Sequence, residues 1–314
     1  MTPVLSIILP CYNEEEVLPE SSSRLITFLE SLISKGKVSS ESRLFFIDDG
    51  SSDNTWTLIE QLNEHEPLAR GLKLARNFGH QRAVLAGLLE VPGDLLISMD
   101  VDLQDDIEAI EKMVDTHLLN QADVVYGVRD DRSSDSVFKR STAEGFYKLL
   151  NLLGVEVVAN HADFRLMSRK VVESFRQFGE SNLFLRGLVP LVGYKSDIVY
   201  YERAERFAGT SKYPLRKMLA LAVDGVTSMS VVPLRLISSL GLLIFLVSTL
   251  MIIWITLGAV LTDIPVPGWA STVLPIYFIG GVQLLCTGTI GEYIGKIYLE
   301  VKNRPRYIIE KTTD

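Results

Sequence analysis

Five short runs of β-branched and other bulky apolar residues, each closed by a polar segment, occupy the first part of the chain and leave few folds open to it. They are Leu5 to Leu9, Leu44 to Ile47, Gly71 to Leu74, Leu95 to Met99 and Val124 to Val128. Between them, apolar residues recur at helical spacing over Leu18 to Leu32, Thr55 to Leu62, Gln81 to Leu89 and Ile107 to Leu118. Strands that alternate with helices need crossover connections, so the pattern predicts an α/β fold with a largely parallel sheet. In open sheets of this kind ligands sit beyond the carboxyl ends of the strands.

The polar segments fall at those ends. Cys11-Tyr12-Asn13-Glu14 follows the first run, Asp48-Asp49-Gly50-Ser51 the second, Asp100-Val101-Asp102 the fourth, and Arg129 the fifth. Solubility alone does not require four strand ends to aim polar groups at one edge. Asp100 and Asp102 are two apart, so both carboxylates can reach one hard divalent cation such as Mg2+ or Mn2+, with Gln104 adding an amide oxygen. Bridging a diphosphate, such an ion would neutralise charge on a leaving group. Asp105 and Asp106 suit the start of the next helix, where carboxylates satisfy free N–H groups. Asp53 can cap a helix and Gly50 can make a tight turn. Asp49 can in addition accept a hydrogen bond from a nucleotide base or ribose. At Glu14, ligand contact competes with simple capping by Asn13.

A second part of the chain is of different character. Pro233 to Gly258 and Trp269 to Gly291 are rich in Leu, Ile, Val and small residues, and each is long enough as a helix to cross roughly 30 Å of hydrocarbon. A buried hydrophobic hairpin is the alternative. The short linker Ala259 to Gly268 would return the chain to the side it left, and the flanking Lys and Arg residues would make that side cytoplasmic. The expected organisation is therefore a catalytic domain over 1–213 and a juxtamembrane amphipathic helix over 214–232. A transmembrane hairpin over 233–291 and a cytoplasmic tail over 292–314 follow, in an integral membrane protein. Residues 195–235 are net basic although the whole chain carries a formal charge of -8. A basic rim suits anionic lipid headgroups or phosphates, and nucleic acid is not an expected partner. Cys11 and Cys286 read as small buried apolar side chains, not as a disulfide. No secretory signal is expected from the first residues.

The ordered set Pro10-Cys11-Tyr12-Asn13-Glu14-Glu15, Asp48-Asp49-Gly50-Ser51-Ser52-Asp53, Asp100-Val101-Asp102-Leu103-Gln104-Asp105, Asp163-Phe164-Arg165-Leu166 and Phe184-Leu185-Arg186-Gly187 resembles the family-2 glycosyltransferases that load a sugar onto polyprenyl phosphate. These include the undecaprenyl-phosphate glucosyltransferases of the GtrB type and dolichyl-phosphate mannose synthase. The resemblance implies a GT-A fold, a mixed sheet with flanking helices, and a nucleotide-diphosphate sugar used with Mg2+ or Mn2+. It further implies inverting transfer, with UDP-glucose and undecaprenyl phosphate as the expected pair, at a lipid bilayer, the bacterial inner membrane. Donor contacts are implied for Pro10, Tyr12, Glu14, Asp49, Asp100 and Arg129, and metal contacts for Asp100, Asp102 and Gln104. Arg203 and Lys212 would handle phosphate, while Asp163 and Arg165 would be catalytic. Two positions depart from the commoner family pattern: Val101 stands where Ala is usual between the aspartates, and Ala162 where Gly often precedes Asp-Phe-Arg.

Asp163 has the alternative of serving only to orient Arg165. Its role in transfer need not be proton abstraction, since a phosphate monoester is already mostly ionised at neutral pH. A cation, Arg165 or Arg203, would then have to offset repulsion between Asp163 and the acceptor. His161 reads as a polar surface or packed residue, and His65, His80 and His117 share no ligand spacing, so zinc is not expected. Glu292 reads as an anchor near Lys296. Rival readings are the same transfer with mannose, N-acetylglucosamine or an aminosugar, and a tethered nucleotide-sugar sensor without activity. A processive polysaccharide synthase and a channel fit less well. Small residues at Gly280-Gly281 and from Gly288 to Gly295 would allow a homo-oligomer.

Overall fold

A computed structural model describes residues 2–129, 161–180, 185–202, 226–227, 230–261 and 268–313. The chain divides into two units, the first made of 1–148, 156–214 and 303–314 and the second of 149–155 and 215–302.

The first unit is built on an eight-stranded sheet. The strands are β1 (Leu5–Cys11), β2 (Arg43–Asp48), β3 (Ala69–Leu74), β4 (Leu95–Ser98), β5 (Val124–Arg129), β6 (His161–Ser168), β7 (Ser196–Tyr201) and β8 (Ile309–Thr312). Their spatial order is β7-β5-β6-β4-β1-β2-β3-β8. Helices α1 (Leu18–Ser34), α2 (Thr55–His65), α3 (His80–Glu90) and α4 (Ala109–Asn120) lie between the early strands, as their spacing predicts, and α5 (Arg169–Ser174) and α6 (Leu185–Leu191) come between β6 and β7. Strands β1 to β4 pair in parallel, whereas β6 runs antiparallel between β4 and β5. This is the GT-A-like mixed sheet with flanking helices that the resemblance implies.

Strand alternation sorts the side chains onto two faces. Leu5, Ile7 and Leu9 of β1, Leu95 and Ile97 of β4, and Phe164 and Leu166 of β6 enter one apolar core with Leu25 and Leu29 of α1 and Met113 of α4. The opposite parity therefore puts Ser98 and, beyond the strand end, Asp100 on the other face, together with Asp163 and Arg165. Helix α3 covers that face closely: a Cβ added to Gly87 would lie 2.4 Å from Ile8 Cγ2 and 3.0 Å from Ile47 Cγ1.

Residues 303–314, expected as a tail, belong to the first unit. They supply β8, which pairs antiparallel with β3, and Thr313 adds a hydrogen bond in which Gly71 N–H donates to Thr313 Oγ1 at 2.6 Å. A strand laid on β3 covers an otherwise open sheet edge.

In the second unit, α7 (Val232–Leu261) and α8 (Trp269–Val301) are helical over the two apolar runs. The Tyr293 hydroxyl donates to the Ser230 carbonyl at 2.6 Å. The expected transmembrane hairpin is corrected here: among the described residues no helix is long and apolar enough to cross a membrane. A span requires an apolar helix of about 20 residues to cross the hydrocarbon. The integral-membrane and inner-membrane placement deduced from that hairpin, with its cytoplasmic catalytic part and tail, loses its support with it. The linker at 262–267 and most of the expected amphipathic helix lie outside the described residues.

Candidate active site

The β4–β6 ladder sets the site. Ser98 pairs with Arg165 as the last partners, so the chain continues past Ser98 to Asp100 just where β6 approaches through Asp163. Ser98 Oγ donates to the Asp163 carbonyl at 2.7 Å and locks that junction. Beside it, Ile8 pairs with Ser98 and Cys11 with Asp48, which brings the ends of β1 and β2 to the same edge.

Asp163 is held by cations. Arg165 Nη2 donates to Asp163 Oδ1 at 2.5 Å, while Arg186, from α6 (Leu185–Leu191), donates through Nε to Oδ1 and through Nη2 to Oδ2, both at 3.2 Å. His80 Nε2, on the first residue of α3, stands 3.7 Å from Asp163 Oδ2 and 3.6 Å from Asp100 Oδ1. Burial pushes the Asp163 carboxyl up, but the nearby His80 imidazole and the charges of Arg165 and Arg186 overcome it and hold the group well below the ordinary carboxylate range. For His80, burial works against the imidazolium, yet Asp163 and Asp100 outweigh it and the value rises.

Asp100 is in the reverse situation. Although 44% of its side chain faces solvent, it is pushed up to about 6, first by burial and then by Asp105, Asp163 and Asp102, against the pull of His80. Crowded carboxylates with too little positive charge make this end of β4 a place where a cation is favoured. Asp102 Oδ1 accepts from Gln104 N–H at 3.2 Å, and Gln104 is buried. Among the described residues no group of three or more His, Cys, Asp or Glu side chains is placed to hold a metal ion by itself. Two carboxylates fit an ion such as Mg2+, which is usually bound through one or two of them and completed by phosphate and water.

Other predicted residues take positions of their own. Pro10 is buried in β1, Tyr12 is exposed and Glu14 is half-buried, its N–H donating to Thr55 Oγ1 at 2.9 Å. Asn13 has φ 55 and braces the second loop, its Oδ1 accepting from Ser52 N–H at 2.9 Å. Asp49 is buried, and its two oxygens accept from the N–H groups of Phe78 at 2.7 Å and Gly79 at 2.9 Å. It thus pins the loop that leads into α3, and with it His80. Arg129 Nη2 lies 3.4 Å from Asp105 Oδ1, and its Nε donates to the Tyr201 hydroxyl at 3.3 Å. That hydroxyl also donates to Asp105. Arg129 therefore steadies the 100–105 loop. Cys11 is buried and, like Cys286, free of any disulfide. Arg203 and Lys212 lie outside the described residues.

His80 and Arg186 are the site residues that sequence reasoning missed. For Arg186 the signal was its place in Phe184-Leu185-Arg186-Gly187, which was read only as a match to a motif. For His80 it was the polar segment Arg76-Asn77-Phe78-Gly79 after the third apolar run, a strand end on the same edge that was not counted with the other four.

A family profile, Glycosyl transferase family 2, matches residues 6–176. The chain belongs to this family. It is accordingly a glycosyltransferase. Among its relatives, the uncharacterized glycosyltransferase YkoT of Bacillus subtilis (strain 168) is 48% identical over 311 residues, covering 98% of this chain and 91% of that protein. The SfII prophage-derived bactoprenol glucosyl transferase of Shigella flexneri is 43% identical over 309 residues, covering 98% of each. A crystal structure of glucosyl-3-phosphoglycerate synthase from Mycobacterium tuberculosis with Mn2+, UDP and phosphoglyceric acid is 19% identical to this chain. It covers 72% of this chain and 76% of that one, with a TM-score of 0.47.

Proposed function

We propose that this glycosyltransferase moves glucose from UDP-glucose to the phosphate of a polyprenyl phosphate, with inversion at the anomeric carbon. The substrates follow the name of the Shigella flexneri relative, to which the chain is similar over nearly its whole length. The geometric observation that carries the reading is the meeting of Asp100 and Asp163 at one imidazole. A charge-starved carboxylate and a cation-clamped one share a single groove.

Asp100 and Asp102 would hold a divalent ion, Mg2+ or Mn2+, with Gln104 bracing Asp102. Bound there, the ion supplies charge neutralisation for the diphosphate. Glu14, Asp49 and the exposed Tyr12, at the ends of β1 and β2, are the donor-side residues of this proposal, with Pro10 beneath them. The phosphate roles of Arg203 and Lys212 remain part of it.

Asp163 does not act as a general base here. A base must be able to take up a proton near the working pH, and the three cationic neighbours of Asp163 hold it ionised far below that range. No base is required, because a phosphate monoester has its second pKa near 6 and its attacking oxygen is already mostly anionic. Asp163 instead fixes Arg186 through two hydrogen bonds at the groove, and Arg165 beneath it. The fixed guanidinium offsets the repulsion that an anionic acceptor would otherwise meet. One displacement by the acceptor oxygen inverts the anomeric centre, with no covalent enzyme intermediate.

The acceptor's lipid phase is a partner in this reading. The apolar side chains that α7 and α8 expose, Trp254 at 80% and Leu284 at 75% among them, are the surface on which it would be met. Self-association through the glycines of α8 belongs to the same proposal.

The deciding experiment incubates purified full-length protein and Mn2+ with radiolabelled UDP-glucose and undecaprenyl phosphate. Label extracted into chloroform, absent for the Asp102→Asn variant, is the expected result. A donor panel with the mannose and N-acetylglucosamine nucleotides distinguishes the sugar, and label that stays with the donor in every case defeats the proposal.

A further inference from the structure

His80 is the residue that connects the two halves of the groove. Its backbone is set by three independent contacts: Asp49 fixes the N–H groups of Phe78 and Gly79, Gly79 turns the chain at φ +97, and Gln81 Oε1 accepts the N–H of Leu185, next to Arg186. The imidazole is thereby placed between Asp100 on the donor side and Asp163 on the acceptor side. Its contacts to both, 3.6 and 3.7 Å, are longer than hydrogen bonds of normal length. At the same time 43% of its side chain faces solvent. A group that lies between the diphosphate end and the attacking end of the groove, and remains exposed, lies where the transferred hexose must pass.

We infer that His80 is a sugar-recognition residue, its imidazole hydrogen-bonding a hydroxyl of the hexose of a nucleoside-diphosphate sugar. The inference rests on the proposed donor chemistry but concerns binding, so it can fail or succeed apart from the identity of the acceptor. An imidazole both donates and accepts at its two nitrogens, which suits a hydroxyl that does the same. Its fixed backbone confines the imidazole to the positions its side-chain rotamers reach, so the contact is made only with a hydroxyl that comes within them.

The test compares UDP-glucose with UDP on full-length protein in the presence of Mn2+, by calorimetry. UDP lacks the hexose and therefore does not touch His80. His80→Ala and His80→Asn should weaken UDP-glucose about tenfold, the effect of losing one hydrogen bond of ordinary strength, and leave UDP affinity within twofold. His80→Gln, whose amide reaches the position of Nε2 where the shorter Asn amide does not, should recover part of the loss. Equal weakening of UDP and UDP-glucose would assign His80 to packing or to the metal site and overturn the inference. So would unchanged UDP-glucose affinity in all three variants. Failure of the wild-type protein to label undecaprenyl phosphate would instead count against the proposed acceptor, while the binding comparison would still decide the place of His80.

Discussion

Replacement of Asp163 by Asn should destabilise the catalytic unit as well as stop transfer, and the structure sets the size of the effect. Arg165 is 1% exposed, and its Nε and Nη1 have no hydrogen-bond partner among the described residues. Asp163 is the one carboxylate in ion-pair reach of it among the described residues, at 2.5 Å. An arginine does not shed its proton. Removing the negative charge therefore leaves a buried guanidinium uncompensated and facing Arg186, a change that costs about 3–5 kcal/mol in general. Asn retains an acceptor oxygen for Nη2, so about 3 kcal/mol is expected, or roughly 6–12 °C in Tm at about 2–4 °C per kcal/mol. The group's pKa is depressed in the fold, so its contribution is present above the unfolded value of about 3.9 and is lost only as pH falls through the lower folded value. The Asp163 share of the gap between wild type and variant should thus be present from about pH 5 upward and close in more acid solution, while His80, whose value Asp163 helps to raise, widens the gap only at pH below that raised value. Thermal unfolding across that range measures it. Adding Arg165→Met to Asp163→Asn should restore most of the stability, since an apolar residue replaces the stranded charge, while transfer remains absent. A single variant that melts within about 2 °C of wild type, or a double variant no better than the sum of its parts, would refute the reasoning.

Three further outcomes follow from the same geometry. In chelator, Asp100→Asn should raise Tm relative to wild type above pH 6 and not below pH 4, because a carboxyl raised to about 6 in the fold loses its stabilising protonated form as pH rises through that value; melting curves at pH 4 and 7 check the sign. Gly50→Ala should lower stability by at least about 1–3 kcal/mol in urea titrations, since Gly50 has φ +67 and an added Cβ would lie 2.4 Å from the Arg76 carbonyl carbon. Tyr201→Phe should cost about 1–2 kcal/mol by leaving the buried Asp105 without its hydroxyl donor, and a variant as stable as wild type in the same titration would show that Arg129 alone suffices.

What could be read in the chain follows what is local. Apolar runs and helical periodicities place β1 to β5 and α1 to α4 within a few residues, because each is encoded by its own burial pattern. The edge that gathers Glu14, Asp49 and Asp100 is legible for the same reason: it is the carboxyl end of parallel strands. The reversal of β6 is not local. That strand reaches the middle of the sheet from beyond residue 160, and only its register with Ser98 shows that Asp163 faces Asp100. The grip of Arg186 on Asp163 spans 23 residues, and the reach of His80 to Asp163 crosses from one helix start to a distant strand. The pairing of β8 with β3 joins residues more than two hundred apart. The apolar runs near the other end were legible as helices, but the inference from apolar composition to a membrane crossing did not hold among the described residues.

Two aspartates in one groove are driven in opposite directions by their surroundings, and that divergence assigns their tasks. Asp100 meets three other carboxylates and only His80 in opposition, so its ionisation is resisted and a cation would relieve it. Asp163 meets Arg165, Arg186 and His80, so its ionisation is secured and a proton is refused. In the proposed reaction the first end therefore calls for positive charge where a diphosphate departs, and the second presents fixed positive charge where an anionic acceptor arrives. An enzyme that needed a covalent intermediate would instead require a carboxylate free to attack, and Asp163, held by two arginines at once, is not free. In the proposed reaction the acceptor phosphate is then the nucleophile, and a single inversion would be the stereochemical consequence.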